Sequence, residues 1–182
     1  MRRARKVHGA REAVVDGSRR FTYEQFCDRC DAWAAALASL GVAKGDRVAT
    51  IAPNTHQHLE QFYAVPRRGA VIVPMNYRLA ADDFVYMANH CGATVLCVHG
   101  DYLALIDSVR ARMPGVRHFV ALEGRRSGWL EYESLVAECS ALEADREQLT
   151  KIELQALAQS RELETAKNAL DAERTQIPVQ SG

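Results

Sequence analysis

Apolar residues follow two rhythms along this chain. Phe26, Cys30, Trp33, Leu37 and Leu40 recur at four- and three-residue intervals, the period of one helical face. Residues 48–52, 70–74, 94–98 and 118–122 are instead short apolar runs without polar alternation, as expected of strands covered on both faces. Their centres, Ala49, Ile72, Leu96 and Val120, lie 23, 24 and 24 residues apart. Helical patterns fill the intervals at 55–68, 81–91 and 101–113, so each interval fits one strand, one helix and two turns. Such a repeat marks right-handed crossovers between parallel strands. The pattern predicts an α/β fold: a doubly wound, mainly parallel sheet with flanking helices.

Local signals agree with that layout. Residues 13–23, AVVDGSRRFTY, read as a short hairpin turning at Asp16, Gly17 and Ser18. Thr22 is placed to cap the next helix, with Gln25 completing a capping box and Phe21 and Phe26 in the positions of a hydrophobic staple. Gly41 can take the left-handed conformation that ends this helix, and Gly69, Gly92 and Pro114-Gly115 each follow a later helical run. Two positions conflict with their surroundings. Pro66 should kink or end the second helix near Val65, because it lacks an amide donor. Ala80 stands where a capping hydroxyl would contribute about 1 kcal/mol.

The last quarter of the chain changes character. No Gly or Pro occurs between Gly128 and Pro178, and no aromatic residue follows Tyr132, which predicts a long C-terminal helical extension. Leu142, Leu149, Ala156, Leu163 and Leu170 recur every seven residues, but the second seam of a coiled coil would read Asp145, Ile152, Gln159, Ala166 and Glu173 and is largely polar. An amphipathic helix that docks on the α/β layer or on a second copy fits this pattern better than a self-sufficient coiled coil.

Length and charge narrow the function. The 182 residues, 48% of them hydrophobic, suffice for one ordinary core. Lys+Arg and Asp+Glu both total 23, so no global field draws in nucleic acid. Residues 1–139 hold 18 basic against 15 acidic side chains and residues 140–182 hold 5 against 8, so the two parts differ in sign. No stretch approaches the roughly 20 apolar residues of a membrane span, and the basic start MRRARK leads into no apolar signal core. Five cysteines, Cys27, Cys30, Cys91, Cys97 and Cys139, lie inside regular elements, which suits reduced thiols in a cytoplasmic protein.

Several linked motifs carry a resemblance. FTYEQF, LASLGVAKGDRVATIAPN, YAVPRRGAVIVPMNYRL and NHCGATVLCV follow one another in order and spacing. Together they resemble the N-terminal region of the AMP-forming acyl-CoA synthetases, in the fatty-acyl-CoA ligase branch of the adenylate-forming superfamily. The resemblance covers roughly residues 10–135. It implies a two-step reaction: a carboxylate attacks the α-phosphate of ATP to give an acyl-adenylate and pyrophosphate, then the thiol of coenzyme A displaces AMP. That chemistry needs backbone amides and cations around the phosphates, Mg²⁺, and a cation at the transition state. In the family these come from a Ser/Thr/Gly-rich phosphate loop with its lysine, a Tyr–Thr adenine motif, a ribose-binding aspartate and a lysine on a mobile C-terminal domain.

None of these motifs is legible here. The implied layout is an N-terminal segment and hairpin start over 1–20, a partial AMP-binding subdomain over 21–135 that stops before the phosphate loop, and the helical extension over 140–177. A truncation or gene fusion with its junction near residues 139–142 would produce this order. No residue is assigned to catalysis, cofactor binding or metal, and no cofactor is expected for this chain alone; ATP, Mg²⁺ and coenzyme A belong to the intact family.

Other chemistry-bearing groups read as structural. Cys27-Asp-Arg-Cys30 has redox or zinc spacing but lies in the body of an amphipathic helix. His90, Cys91, Cys97 and His99 bracket a strand without secured convergence, and His56 and His58 point to different sides of a helix start, where both are expected to be solvated. Lys44-Gly45-Asp46-Arg47 reads as a structural turn, Arg67-Arg68 as a solvated helix end, and Arg2, Arg3, Arg5 and Lys6 as a mobile terminus. Three functions fit: an N-terminal ligase part without turnover of its own, a ligase completed in trans by a partner chain, and a non-catalytic scaffold that self-associates through its helix or an exposed apolar face.

Overall fold

Thr22 opens the first long helix as a reciprocal cap: its hydroxyl accepts from Gln25 N at 3.3 Å and its own N–H donates to Gln25 Oε1 at 2.9 Å. This computed structural model of the chain describes residues 2–176. A helix α1 (Arg2–His8) precedes the hairpin β1 (Glu12–Asp16) and β2 (Arg19–Thr22), and α2 (Tyr23–Ser39) ends where Gly41 takes φ 74°. Then come β3 (Arg47–Ile51), α3 (His56–Arg67), β4 (Val71–Met75), α4 (Ala81–Cys91), β5 (Ala93–Val98), α5 (Leu103–Val109), β6 (His118–Ala121), β7 (Leu130–Glu131) and α6 (Tyr132–Gln176).

The sheet has five parallel strands in the order β4-β3-β5-β6-β7. Successive residues of its strands enter opposite layers, which is why their sequences do not alternate. Val48, Val95, Cys97 and Val120 pack with α2, α3 and the start of α6, around Trp33, Leu37 and Tyr132. Ala49, Ile51, Leu96 and Val98 pack with α4 and α5, around Phe84 and Ile106. Burying a side chain of that size contributes about 1.5–3 kcal/mol.

Five differences from the sequence reading have physical causes. The basic terminus is a helix, because Arg5 pairs with Asp28 and, at 3.2 Å, with Asp31 on α2. The α3 helix continues through Pro66 to Arg67 instead of ending near Val65. Proline in the last turn forfeits only the bond to the Phe62 carbonyl, and Arg68 N closes the end on Ala64 O at 3.2 Å. The helix expected over 101–113 is three pieces. His99 Nδ1 accepts from Asp101 N at 3.4 Å and seeds a 3₁₀ turn, Gly100–Tyr102, and after α5 the backbone tightens again into Arg110–Arg112. The fifth strand, β7, has only two residues, too few for a periodic signal. Arg67 is not simply solvated, since it forms an ion pair with Asp31.

The chain divides into two compact units, residues 1–141 and a second beginning at Leu142. In the second unit every side chain described is exposed, including Leu142, Leu149, Ile152 and Leu163; the side chains of Leu170 and Glu173 lie outside the described residues. No described helix is long and apolar enough to cross a membrane.

Candidate functional site

Strand order fixes where a site can form. The connection from β3 runs outward to β4 through α3, whereas β5 runs the other way to β6 through α5, so the carboxyl ends of β3 and β5 flank a topological switch point. The segment leaving β3 there starts α3 immediately, with Thr55 Oγ1 accepting from His58 N at 3.2 Å. That cap sets His56, Gln57, Glu60 and Gln61 on the inward face of α3.

These inward side chains build a buried ionic cluster. Glu60 is fully buried and accepts from Arg29 Nε at 2.6 Å, from Arg29 Nη2 at 3.2 Å and from the Tyr132 hydroxyl at 2.6 Å. Arg29 reaches on to Glu133 with two bonds of 2.9 Å, and Gln57 Nε2 donates to the same carboxylate at 3.2 Å. Next along the cluster, His56 is 1% exposed. Its Nδ1 lies 2.6 Å from Asp16 Oδ2, which also accepts from His56 N at 2.9 Å, and its Nε2 lies 3.5 Å from Glu133. Arg19 Nη1 of β2 lies 3.2 Å from the same Nε2, so five elements, β1, β2, α2, α3 and α6, meet at one set of charges.

Electrostatics follow from this pairing. Burial disfavours the Arg29 cation, but the bonds from Glu60 and Glu133 outweigh it and raise its pKa. Burial likewise opposes His56, yet Glu133 and Asp16 hold its pKa above 6.5. The Glu133 carboxyl is brought down to about 2, because the bonds from His56 and Arg29 exceed the opposing effect of its own burial. Asp16 is lowered mainly by the backbone and side-chain bonds from His56.

Two cavities flank Glu133. One, of ≈370 Å³, is lined by Arg19, Gln57, Glu123, Arg125, Glu131 and Glu133, among others; the other, of ≈440 Å³, lies between Arg19, Arg20, Phe21 and Arg29. A nucleotide triphosphate does not fit the first cavity. Three carboxylates face two guanidiniums there, and Arg125 is already bound to Glu131 at 3.0 Å. Among the described residues no group of three His, Cys, Asp or Glu side chains converges to hold a metal. The cluster has the chemistry of a weld between elements, with its charges satisfied by one another.

The remaining sequence candidates are dispersed. Cys30 is buried and its thiol pushed well up, mainly by desolvation, and Cys27 is also buried in α2. His90 stacks on Tyr86 at 5.4 Å, Cys91 faces Ala88 O at 3.6 Å, Cys97 is in the core and His99 pairs with Glu123 at 3.2 Å, so these four do not converge. His56 and His58 are not solvated: His56 is in the cluster, His58 is half-buried with Nδ1 3.4 Å from Thr50 Oγ1, and both line one groove beside the hairpin. The Lys44–Arg47 turn is tied by Gly45 N to Gly69 O at 2.9 Å and by Ala43 N to Asp46 Oδ2 at 3.0 Å. Arg29, Glu60, Tyr132 and Glu133 escaped sequence reasoning; the available signal was Glu60, an acidic residue at an inward position of α3.

The family model for AMP-binding enzymes matches residues 1–178. This chain belongs to the AMP-binding enzyme family. A long-chain-fatty-acid–CoA ligase of Thermus thermophilus is 34% identical over 143 residues, which are 76% of this chain and 26% of that protein. The solved anthranilate CoA ligase AuaEII in complex with anthranoyl-AMP superposes with a TM-score of 0.72 at 28% identity, covering 75% of this chain and 26% of that one. A Mycobacterium tuberculosis fatty acyl CoA synthetase gives a TM-score of 0.65 at 30% identity over 77% of this chain and 27% of its own. The chain thus spans about a quarter of the length of these relatives and matches their N-terminal part.

Proposed function

We propose that this chain supplies the N-terminal subdomain of an AMP-forming carboxylate–CoA ligase and does not turn over by itself. The observation carrying this reading is the match of three quarters of the chain, in sequence and fold, to one quarter of ligases. In the family, ATP, Mg²⁺ and coenzyme A supply the adenylate and thioester chemistry. The contribution of these residues is architectural. Arg29, Glu60, Tyr132 and Glu133 lock α2, α3 and α6 together beside the switch point, and the caps at Thr22 and Thr55 fix where the helices start.

On this reading residues 21–135 form the ligase-like subdomain and residues 140–177 a separate helical extension. The substrate is a carboxylic acid, with fatty acids favoured by the Thermus relative. We assign the cytoplasm as the compartment, on the thiols buried at Cys30 and Cys97. Incubating the purified chain with ATP, Mg²⁺, fatty acids of several lengths and coenzyme A should give pyrophosphate and AMP at background level. Release above background overturns the reading. A second role, self-association through α6, is favoured by the exposed Leu142, Leu149, Ile152 and Leu163. Light scattering with and without residues 140–182 tests it, and monomers in both cases exclude it.

A further inference from the structure

Nε2 of His56 stands between a donor and an acceptor. Arg19 Nη1 lies 3.2 Å from it and Glu133 Oε1 3.5 Å, while Nδ1 across the ring is 2.6 Å from Asp16 Oδ2. A guanidinium only donates and an ionised carboxylate only accepts. Bonds from the His56 backbone and side chain hold the Asp16 carboxyl below its ordinary range, so Asp16 is ionised at neutral pH and Nδ1 carries its proton. The choice therefore falls on Nε2. Its lone pair accepts from Arg19, or a proton on it is donated to Glu133, and one nitrogen cannot do both at once.

The two partners depend on His56 unequally. Glu133 also accepts from Arg29 in two bonds of 2.9 Å and from Gln57 at 3.2 Å. Arg19 has no such reserve. Among the described residues its guanidinium forms no ion pair and its side chain bonds to His56 alone, whereas its neighbour Arg20 pairs with Glu12 at 3.4 Å. The ring itself is fixed, being 1% exposed, stacked on Phe21 at 5.0 Å and held by Asp16. Arg19 is exposed and lines both cavities beside Glu133, so it has space to leave.

Charge reaches the ring from five elements: Asp16 of β1, Arg19 of β2, Arg29 of α2, Glu60 of α3 itself and Glu133 of α6. Burial and Arg29 oppose the imidazolium; Glu133, Asp16 and Glu60 favour it and prevail. A second cation at 3.2 Å adds to the opposition, and a proton on the ring repels Arg19 in return. We propose that His56 is a proton-operated switch for the Arg19 side chain. The neutral ring holds the guanidinium of this first residue of β2; the imidazolium gives Nε2 over to Glu133 and releases the guanidinium into the adjoining cavities. The switch stands apart from the proposed function, since it requires neither a substrate nor the rest of a ligase.

Heteronuclear NMR of the full chain across a pH titration tests it. Above the His56 midpoint the neutral ring should carry its proton on Nδ1, and the side-chain resonances of Arg19 should shift with that same midpoint. Arg19→Met, which removes the competing cation, should strengthen proton binding at His56 by about threefold or more, and Glu133→Gln should weaken it by about as much. Arg20→Met deletes a cation that lines the same cavity without a bond to the ring, and should move the midpoint less. A neutral ring protonated on Nε2, or an Arg19 side chain indifferent to the His56 midpoint, overturns the switch in the wild-type chain without any variant. So does a midpoint left in place or lowered by Arg19→Met, raised by Glu133→Gln, or moved as far by Arg20→Met.

Discussion

Tyr132 donates its hydroxyl hydrogen to Glu60 Oε2 across 2.6 Å, joining the first residue of α6 to the middle of α3 beneath the sheet. Both side chains are fully buried, so neither can exchange this partner for water. Tyr132→Phe should cost about 1–3 kcal/mol in urea unfolding. Arg29→Met should cost more, about 3–5 kcal/mol, because it strips the buried carboxylate of the guanidinium bound to it at 2.6 Å while leaving the charge in place. A smaller loss for Arg29→Met than for Tyr132→Phe would refute the weld.

The ionic cluster should stabilise the fold most in mildly acidic solution. His56, with its folded pKa raised above 6.5, stabilises fully below that value and loses its contribution as pH rises through the folded pKa. Glu133, lowered from 4.5 to about 2, stabilises fully above 4.5 and loses its contribution as pH falls towards 2. Asp16, lowered from 3.8, acts in the same direction as Glu133. The contribution of these three groups to Tm should therefore plateau between about 4.5 and 6.5 and decline on both sides, while His58, lowered by burial, subtracts from stability as pH falls below 6.5. In His56→Gln the decline above the plateau should flatten; an unchanged alkaline limb would assign it to other groups.

Arg47 clamps the end of α4. Its Nε donates to Cys91 O at 2.6 Å and its Nη2 to Gly92 O at 2.7 Å, while Gly92 has φ 64°. A methyl group at Gly92 would meet Arg47 Nη2 at 2.5 Å. Gly92→Ala should cost about 1–2 kcal/mol from the left-handed backbone alone, plus the displaced clamp. Combined with Arg47→Met, it should cost less than in the wild-type background. Additive losses in that double-mutant cycle would show the two positions to be independent.

Thiol chemistry should divide by depth. Burial pushes the Cys30 and Cys97 thiols well up, so both are protonated at neutral pH and shielded from reagents. Brief alkylation of the native chain followed by mass mapping should mark Cys91 and Cys139, which are partly exposed, and leave Cys30 and Cys97 to react only after unfolding. Early labelling of Cys97 would mean that β5 opens locally.

The parallel sheet was legible because its signals are local and redundant: an apolar run, a helical period and a glycine stop recur between Val48 and Leu122. The capping box at Thr22 was legible for the same reason, since both partners lie within four residues. The ionic cluster was not. Arg29 and Glu133 are 104 positions apart and meet only because α2 and α6 share one side of the sheet, a consequence of strand order that periodicity does not encode. His56 was misjudged as solvated for a related reason, as Asp16 arrives from a hairpin 40 positions earlier. Pro66 misled in the other direction, because its penalty depends on how near it lies to a helix end.

The order β4-β3-β5 sets a sequence of events at synthesis. As the chain leaves the ribosome, Arg47–Ile51 can pair with Val71–Met75 at once, but its opposite edge stays bare until Ala93–Val98 has emerged. Through that interval a short apolar strand presents unpaired amides and carbonyls, the template on which nascent chains stick to one another. Slowing translation once residues 93–98 have left the ribosome should favour recovery of soluble protein, and slowing it while Arg47–Met75 is outside but residues 93–98 are still inside should favour inclusion bodies.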